Sequence, residues 1–185
     1  ALMREIPGMV VINPCDDVEA RAAVKAAYEY VGPVYMRFGR LAVPVINDET
    51  TYKFEIGKGV ELRPGKDITI IATGLPVSES LEAAKLLAED GIDAQVINIH
   101  TIKPLDEELV VKAAQATGRV FTVEEHSIIG GLGSAVMECL AEKNPVKVTR
   151  IGVRDTFGES GPAKDLLHKY ELDAEGIYKQ IKAAL

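Results

Sequence analysis

Three ionisable side chains stand in a row at Glu124, Glu125 and His126, directly after the apolar run Val120 to Val123. A carboxylate beside an imidazole can move protons, so these residues could act as a general acid and base. They also lie where a buried strand should end, and ligands gather beyond the carboxyl ends of strands in open α/β sheets. The same position would suit a contact with another domain or subunit.

Two arginines and a histidine lie at the ends of other apolar runs. Arg37 and Arg40 lie in and just after the predicted strand Val34 to Phe38, and His100 follows the run Ala94 to Ile99. A guanidinium can bind a phosphate or carboxylate through two hydrogen bonds, and an imidazole can donate one to a phosphate oxygen. The alternatives are surface ion pairs for the arginines and a hydrogen bond within a strand-end loop for the histidine.

A glycine cluster follows the acidic residues, at Gly130, Gly131 and Gly133. Glycines at the start of a helix can cradle a phosphate, but the spacing GGLG matches neither the dinucleotide-binding fingerprint nor the P-loop. We therefore interpret these residues as packing positions, which let a helix start close against the sheet or against another chain.

A strand, helix, strand unit must position most of these groups. The runs Ala94 to Ile99 and Val120 to Val123 are too short for helices and too unbroken for half-exposed strands, so they predict buried parallel strands. Between them, Asp106 should cap a helix that Gly118 ends in the left-handed conformation.

Residues 1 to 46 predict a second βαβ unit. Its strands are Gly8 to Asn13 and Val34 to Phe38, and its helix begins at Asp16 and runs to about Tyr30. The apolar residues on one face of this helix are Ala20, Val24, Ala27, Tyr28 and Val31. Two strands and one helix bury too little surface to fold alone, so we expect the preceding part of this domain to lie outside the sequence.

The remaining chain predicts a larger domain. Residues 47 to 66 have the composition of a linker, with an edge strand near Val60 to Arg63, and residues 67 to 185 supply the other strands and helices. The right-handed crossover rule then gives an α/β fold, a mostly parallel sheet of four or five strands with helices on both faces. The predicted domain boundaries are therefore 1–46, 47–66 and 67–185.

Composition argues against several classes of partner. The formal net charge is −7, and no basic stripe is present to release counterions, so nucleic acid and anionic membranes are not expected. No apolar run approaches the roughly 20 residues of a membrane span. No basic, apolar leader is seen either, so the cytoplasm is the expected compartment. Cys15 and Cys139 lack any metal-ligand spacing and predict reduced, packed thiols.

Three segments carry a family resemblance: GKDITIIATG at 65–74, VINIHTIKPLDEE at 96–108 and VFTVEEHSIIGGLGSAV at 120–136. They resemble the carboxy-terminal domain shared by transketolase, 1-deoxyxylulose-5-phosphate synthase and the beta subunit of 2-oxoacid dehydrogenases. Residues 1 to 46, with GPVYMRFGR at 32–40, resemble the end of the pyrimidine-binding domain that precedes it. The whole chain is most similar to the carboxy-terminal subunit of a split transketolase.

The resemblance implies a cofactor that this sequence alone should not hold. In the family, thiamine diphosphate and Mg²⁺ lie between a diphosphate-binding domain and the pyrimidine-binding domain, whose first half carries the activating glutamate. The sequence has neither that half nor the metal-binding GDG motif. We therefore expect transfer of a two-carbon ketol unit between sugar phosphates only in an assembly with an amino-terminal, diphosphate-binding subunit and a complete pyrimidine-binding domain. The isolated chain should be inactive.

The resemblance also implies roles for single residues. Arg40, and with it Arg37, match the arginine that holds a sugar phosphate, and His100 stands where the deoxyxylulose synthase has a second phosphate-binding arginine. Chemistry in this family is done by the cofactor, so no catalytic residue is expected in this chain. The residues assigned instead to a domain or subunit contact are Glu124, Glu125, His126, Gly130 and Gly131.

Other functions stay open beside transketolase. The chain could be a non-catalytic module that builds a dimer, or part of a deoxyxylulose synthase or dehydrogenase beta subunit; the paired arginines argue against the dehydrogenase. A homodimer is expected in any case, because the incomplete βαβ unit leaves apolar surface uncovered and the small residues Gly130, Gly131 and Ser134 favour close packing.

Overall fold

The computed structural model describes residues 1–40 and 42–185, whose strands form two sheets. The first part of the chain contributes α1 (Leu2–Glu5), β1 (Val10–Ile12), α2 (Asp17–Glu29) and β2 (Val34–Met36). The rest contributes β3 (Val60–Arg63), β4 (Ile68–Thr73), α3 (Pro76–Glu89), β5 (Ala94–Asn98), β6 (Thr101–Lys103), α4 (Glu107–Thr117), β7 (Arg119–Ser127), α5 (Leu132–Lys143), β8 (Lys147–Val153), α6 (Ala163–Lys169) and α7 (Ala174–Ala184).

The larger sheet has the strand order β3-β5-β4-β7-β8. β4 pairs in parallel with β5 and β7, and β7 pairs in parallel with β8. β3 lies at the edge and runs antiparallel to β5. The predicted mostly parallel sheet and its short edge strand are thus confirmed.

Helices cover both faces of this sheet, as the sequence predicted. On one face α3 and α7 pack against Ile70 and Phe121, and on the other α4 and α5 pack against Ile71 and Val120. Successive side chains of a strand point to opposite faces, so a sheet covered on both sides requires the unbroken apolar runs seen in the sequence.

The helix between β6 and β7 has the predicted ends. The Asp106 side chain accepts the Leu109 N–H at 3.2 Å, and Gly118 ends α4 with φ 68°. The other Asp106 carboxylate oxygen accepts the Gly59 N–H at 3.0 Å. One residue therefore caps α4 and also fixes the chain that enters the edge strand β3.

The smaller sheet contains a strand that the sequence pattern does not reveal. Its order is β2-β1-β6, with β1 parallel to β2 and antiparallel to β6. Thr101–Lys103, which follow His100 and are not predicted as a strand from the sequence, form this third strand. The chain leaves the larger sheet after Asn98 and joins the smaller one at Thr101, so the two sheets are linked through adjacent residues.

The apolar face predicted for α2 is not the face that packs inward. Glu19 and Ala23 are fully buried, whereas Tyr28 and Val31 are 90% and 98% exposed. The rotation of the helix is set by Glu19, because its carboxylate accepts a hydrogen bond at 2.8 Å from the side-chain amide of Asn98 in β5. The buried hydrogen bonds of the Glu19 carboxylate thus outweigh the apolar stripe.

Two further observations concern the described residues as a whole. No helix within 1–40 and 42–185 combines the length and apolar character needed to cross a bilayer. Cys15 and Cys139 are both free and buried.

Candidate functional site

The ends of strands from both sheets meet at a cavity of about 270 Å³. Asn13 after β1, Thr73 at the end of β4 and Glu124 in β7 line it, together with Arg37 and His126. In the larger sheet β4 and β7 are neighbours, while the chain leaves β4 toward β5 on the opposite side. Ligands bind at such topological switch points in open α/β sheets, so this cavity is the candidate site.

Glu124 caps the helix that follows its strand. The side chain is 2% exposed, and its two oxygens accept the N–H groups of Leu132 and Gly133, each at 2.8 Å. A carboxylate at this position is favoured by the positive end of the helix dipole. A β-carbon at Gly131 would overlap the same carboxylate. The contacts of Glu124 and Gly131 are therefore internal to the β7–α5 connection.

Two other residues assigned to a contact from the sequence do touch the first part of the chain. The Gly130 carbonyl accepts a hydrogen bond from the Arg4 guanidinium at 2.8 Å. Glu125 lies 3.7 Å from the Arg37 guanidinium. Both contacts join the β7–α5 connection to residues beside the smaller sheet.

His126 lies between these two sets of contacts. Its Nδ1 is 2.7 Å from the Ser127 carbonyl oxygen, which requires Nδ1 to carry the proton and donate it. The distance from Nδ1 to the Glu124 carboxylate is 3.8 Å, which permits attraction but not a hydrogen bond. With Glu124 held by two helix N–H groups, the pair has no free carboxylate oxygen directed at the ring.

The two arginines face different surroundings. Arg37 follows β2 directly, its half-buried side chain lines the cavity, and its N–H donates to the Ile12 carbonyl at 2.9 Å. Arg40 is exposed in the turn beyond and does not line the cavity. The structure therefore does not bring Arg37, Arg40 and His100 to one pocket.

His100 is covered by its own chain. It is 1% exposed, its ring stacks on Phe54 with centroids 4.3 Å apart, and its Nδ1 lies 2.9 Å from the Thr101 hydroxyl. Burial lowers the pKa of His100 to about 4, although Asp106 opposes the change. The imidazole is therefore neutral at pH 7, and a phosphate could reach it only after Phe54 moved.

The free energy of unfolding should depend on pH through His100. Its pKa is about 4 in the folded chain and 6.5 when unperturbed, so between these values the unfolded chain binds the extra proton. The contribution of His100 to stability is complete above pH 6.5 and is lost as the pH falls toward 4, by about 3 kcal/mol. Urea unfolding at several pH values, compared between wild type and His100→Asn, measures it. Burial raises the pKa of Glu19, which changes the free energy of unfolding with pH in the opposite direction. This contribution is the same in both proteins and cancels when they are compared. Equal slopes in the two proteins would contradict the assignment.

A buried polar cluster beside α2 has no counterpart among the sequence predictions. Glu19 accepts hydrogen bonds from the Cys15 N–H at 2.7 Å, from the Asn98 side chain and from the Tyr52 hydroxyl. Glu19 lies in the first turn of α2, so its bond to Cys15 is local. Its other partners lie 33 and 79 residues away, and no local pattern indicates them.

Comparison with known protein families decides which fold family this is. Residues 57–177 match the transketolase C-terminal domain, and residues 1–45 match the transketolase pyrimidine binding domain. The chain belongs to the transketolase family. The family matches fall on both sides of the candidate cavity, which is lined by residues of each matched segment.

Individual relatives of the chain are also transketolase-family proteins. It is 48% identical, over 97% of its length, to the 6-deoxy-6-sulfo-D-fructose transketolase subunit of Clostridium sp. (strain MSTE9), of which it covers 55%. It is 45% identical, also over 97%, to one subunit of the apulose-4-phosphate transketolase of Phocaeicola vulgatus, of which it covers 57%. A solved split gene transketolase, described as an inactive beta4 tetramer, is 48% identical with a TM-score of 0.95; the match covers all of this chain and 60% of that one. The chain thus spans somewhat more than half the length of these relatives.

The candidate cavity of this transketolase chain does not fit a diphosphate with its metal ion. Within residues 1–40 and 42–185, no group of three or more His, Cys, Asp or Glu side chains is arranged to hold a metal. The buried carboxylate of the cavity, Glu124, is already occupied by two N–H groups of α5. The volume of about 270 Å³ is also below the usual range for cofactor sites. We therefore assign no step of thiamine chemistry to these residues.

Proposed function

We propose that this chain is the carboxy-terminal part of a transketolase that transfers a two-carbon ketol unit between sugar phosphates. The observation that carries the proposal is the 48% identity to a transketolase subunit over 97% of the chain. The names of the two relatives refer to a sulfo sugar and to a sugar phosphate, both of which carry an anionic group. An arginine can bind either anion through two hydrogen bonds.

We assign Arg40 to the anionic group of the sugar, with Arg37 as a second arginine of the same segment. Arg40 is exposed in the turn after β2, so a ligand can approach it without rearrangement of the chain. His100 remains the third residue of this assignment, but a ligand can reach its ring only once Phe54 has moved. Arg40 is therefore the residue on which the substrate assignment depends most.

The proposed assembly includes an amino-terminal subunit that binds the diphosphate. Thiamine diphosphate, held with Mg²⁺ by that subunit and a complete pyrimidine-binding domain, supplies the carbanion chemistry. A homodimer stays a prediction, with a changed basis: Gly131 packs against Glu124, and Ser134 accepts the Gly130 N–H at 2.8 Å, so these small residues have internal partners. Exposed Tyr28 on α2 and Val31 just after that helix supply the apolar surface for association instead. The buried free thiols favour the cytoplasm as its compartment.

Calorimetry tests which part of the proposed assembly binds thiamine diphosphate. Residues 1–185 alone, titrated with thiamine diphosphate and Mg²⁺, should show no saturable binding, because the activating glutamate and the metal motif lie elsewhere in the assembly. The positive control is the diphosphate-binding subunit mixed with a chain that extends residues 1–185 by the missing half of the pyrimidine-binding domain, and that mixture should show both cofactor binding and ketol transfer. Micromolar binding by the chain alone, about −8 kcal/mol, would contradict the proposal.

A further inference from the structure

The turn that carries Arg40 is held at both ends. Before it, the Arg37 N–H donates to the Ile12 carbonyl at 2.9 Å and continues the parallel pairing of β2 with β1. After it, the N–H groups of Ile46 and Asn47 donate to one oxygen of the Asp16 carboxylate, at 2.9 and 2.8 Å. Arg40 therefore lies on a span anchored by β1 on one side and by Asp16 on the other.

Asp16 is itself firmly placed. It is 3% exposed, and its other oxygen accepts the Glu19 N–H at 2.8 Å as the cap of α2. Burial raises the pKa of Asp16, but the hydrogen bonds from the backbone N–H groups outweigh burial and bring the pKa below its ordinary value. A charged carboxylate at the start of a long helix thus binds two backbone groups of a distant segment.

The same carboxylate lies against the turn that it anchors. Asp16 lines a cavity of about 270 Å³ together with Gly39, which directly precedes Arg40, and Ala42, which follows it two residues later. Phe38 and Val43 line the same cavity. Residues before and after Arg40 therefore lie beside the amino-terminal end of α2, in the same cavity as Asp16.

We propose that Asp16 is a positioning residue for substrate binding, which holds the turn so that the Arg40 guanidinium meets the anionic group of the sugar. The inference rests on the role proposed above for Arg40. It assigns to Asp16 an effect on the anionic substrate that a helix cap by itself would not have, since loss of a cap lowers stability without regard to the substrate.

The test uses the assembled enzyme with Asp16→Asn and Asp16→Ser. Asparagine has only one side-chain oxygen, so it cannot accept both from the Glu19 N–H and from the N–H groups of Ile46 and Asn47. Serine can still cap α2, but its side chain is too short to reach Ile46 and Asn47. Each should raise KM for a phosphorylated acceptor about tenfold, because displaced binding groups lose much of their effect. The half-reaction of hydroxypyruvate, which has no phosphate, should keep its kcat and KM. Asp17→Asn is the matched control: Asp17 is the next residue, exposed and paired with Arg21, and should leave both reactions unchanged.

A double variant separates this inference from the function on which it rests. In an Arg40→Ala background, Asp16→Ser should add no further loss with the phosphorylated acceptor, because the two residues act through one contact. If Arg40→Ala is selective for the phosphate while both Asp16 variants act equally on the two substrates or on neither, the positioning role is overturned and the proposed function stands. If Arg40→Ala shows no such selectivity, the substrate assignment itself fails.

Discussion

If the proposed function is correct, replacement of Arg40 by alanine should lower kcat/KM of the assembled enzyme for a phosphorylated acceptor by about 10- to 150-fold. A charge-assisted contact to a dianion is lost, and such contacts contribute roughly 1.5 to 3 kcal/mol. The loss should appear mainly as a higher KM for the acceptor. Steady-state kinetics with separate variation of donor and acceptor measures it.

The choice of substrate supplies the control for this prediction. Hydroxypyruvate carries no phosphate, so its half-reaction should hardly change in the Arg40→Ala enzyme. Arg154→Ala is the matched variant, since Arg154 is also exposed but lies after β8, with its guanidinium 3.2 Å from the Gln180 side chain. An Arg40→Ala enzyme that is slower with both substrates alike, or that merely melts earlier, would identify Arg40 as a structural residue.

Glu124→Gln should lower the free energy of unfolding by about 2 to 4 kcal/mol. The two carboxylate oxygens accept the N–H groups of Leu132 and Gly133. Glutamine has one carbonyl oxygen and turns its amide group toward the second N–H, so a buried donor loses its partner at a cost of about 1 to 3 kcal/mol. The negative charge at the start of α5 is lost as well, which contributes up to about 2 kcal/mol. Urea unfolding at pH 7 measures the change.

The neighbouring residue offers a control of the same chemistry. Glu125 is partly exposed and lies 3.7 Å from Arg37, so Glu125→Gln should change stability by less than about 1 kcal/mol. Equal effects at the two positions would show that the hydrogen bonds of Glu124 to α5 contribute little. Gly131→Ala should resemble Glu124→Gln, because the added methyl group would displace the same carboxylate.

Much of the larger domain follows from short-range patterns. The strands β4, β5 and the first half of β7 are buried on both faces and need nearly unbroken apolar runs. The ends of α4 at Asp106 and Gly118 depend on residues beside them. Each of these features is encoded by a short stretch of consecutive residues. The layers and the edge strand could therefore be predicted without knowledge of distant contacts.

The sequence predictions that the structure corrects have a common physical cause: each depends on a partner residue far away along the chain. The pairing of β6 depends on β1, the rotation of α2 on a hydrogen bond to Asn98, and the burial of His100 on the ring of Phe54. In the sequence Glu124 looks available to a partner, because the backbone N–H groups that occupy it are not visible in a pattern of side chains. A strand end is thus the correct place for the candidate site, while the state of its residues required the structure.

The strand β6 has a consequence for the time course of synthesis. It follows β1 by about 90 residues, so at the usual 5 to 20 residues per second the ribosome needs roughly 5 to 20 s to deliver it. Throughout that interval the backbone groups of β1 that pair with β6 have no partner, and an unpaired strand edge is a template for association with other chains. The segment that contains β1 therefore depends, during translation, on a strand that is synthesised about 90 residues later.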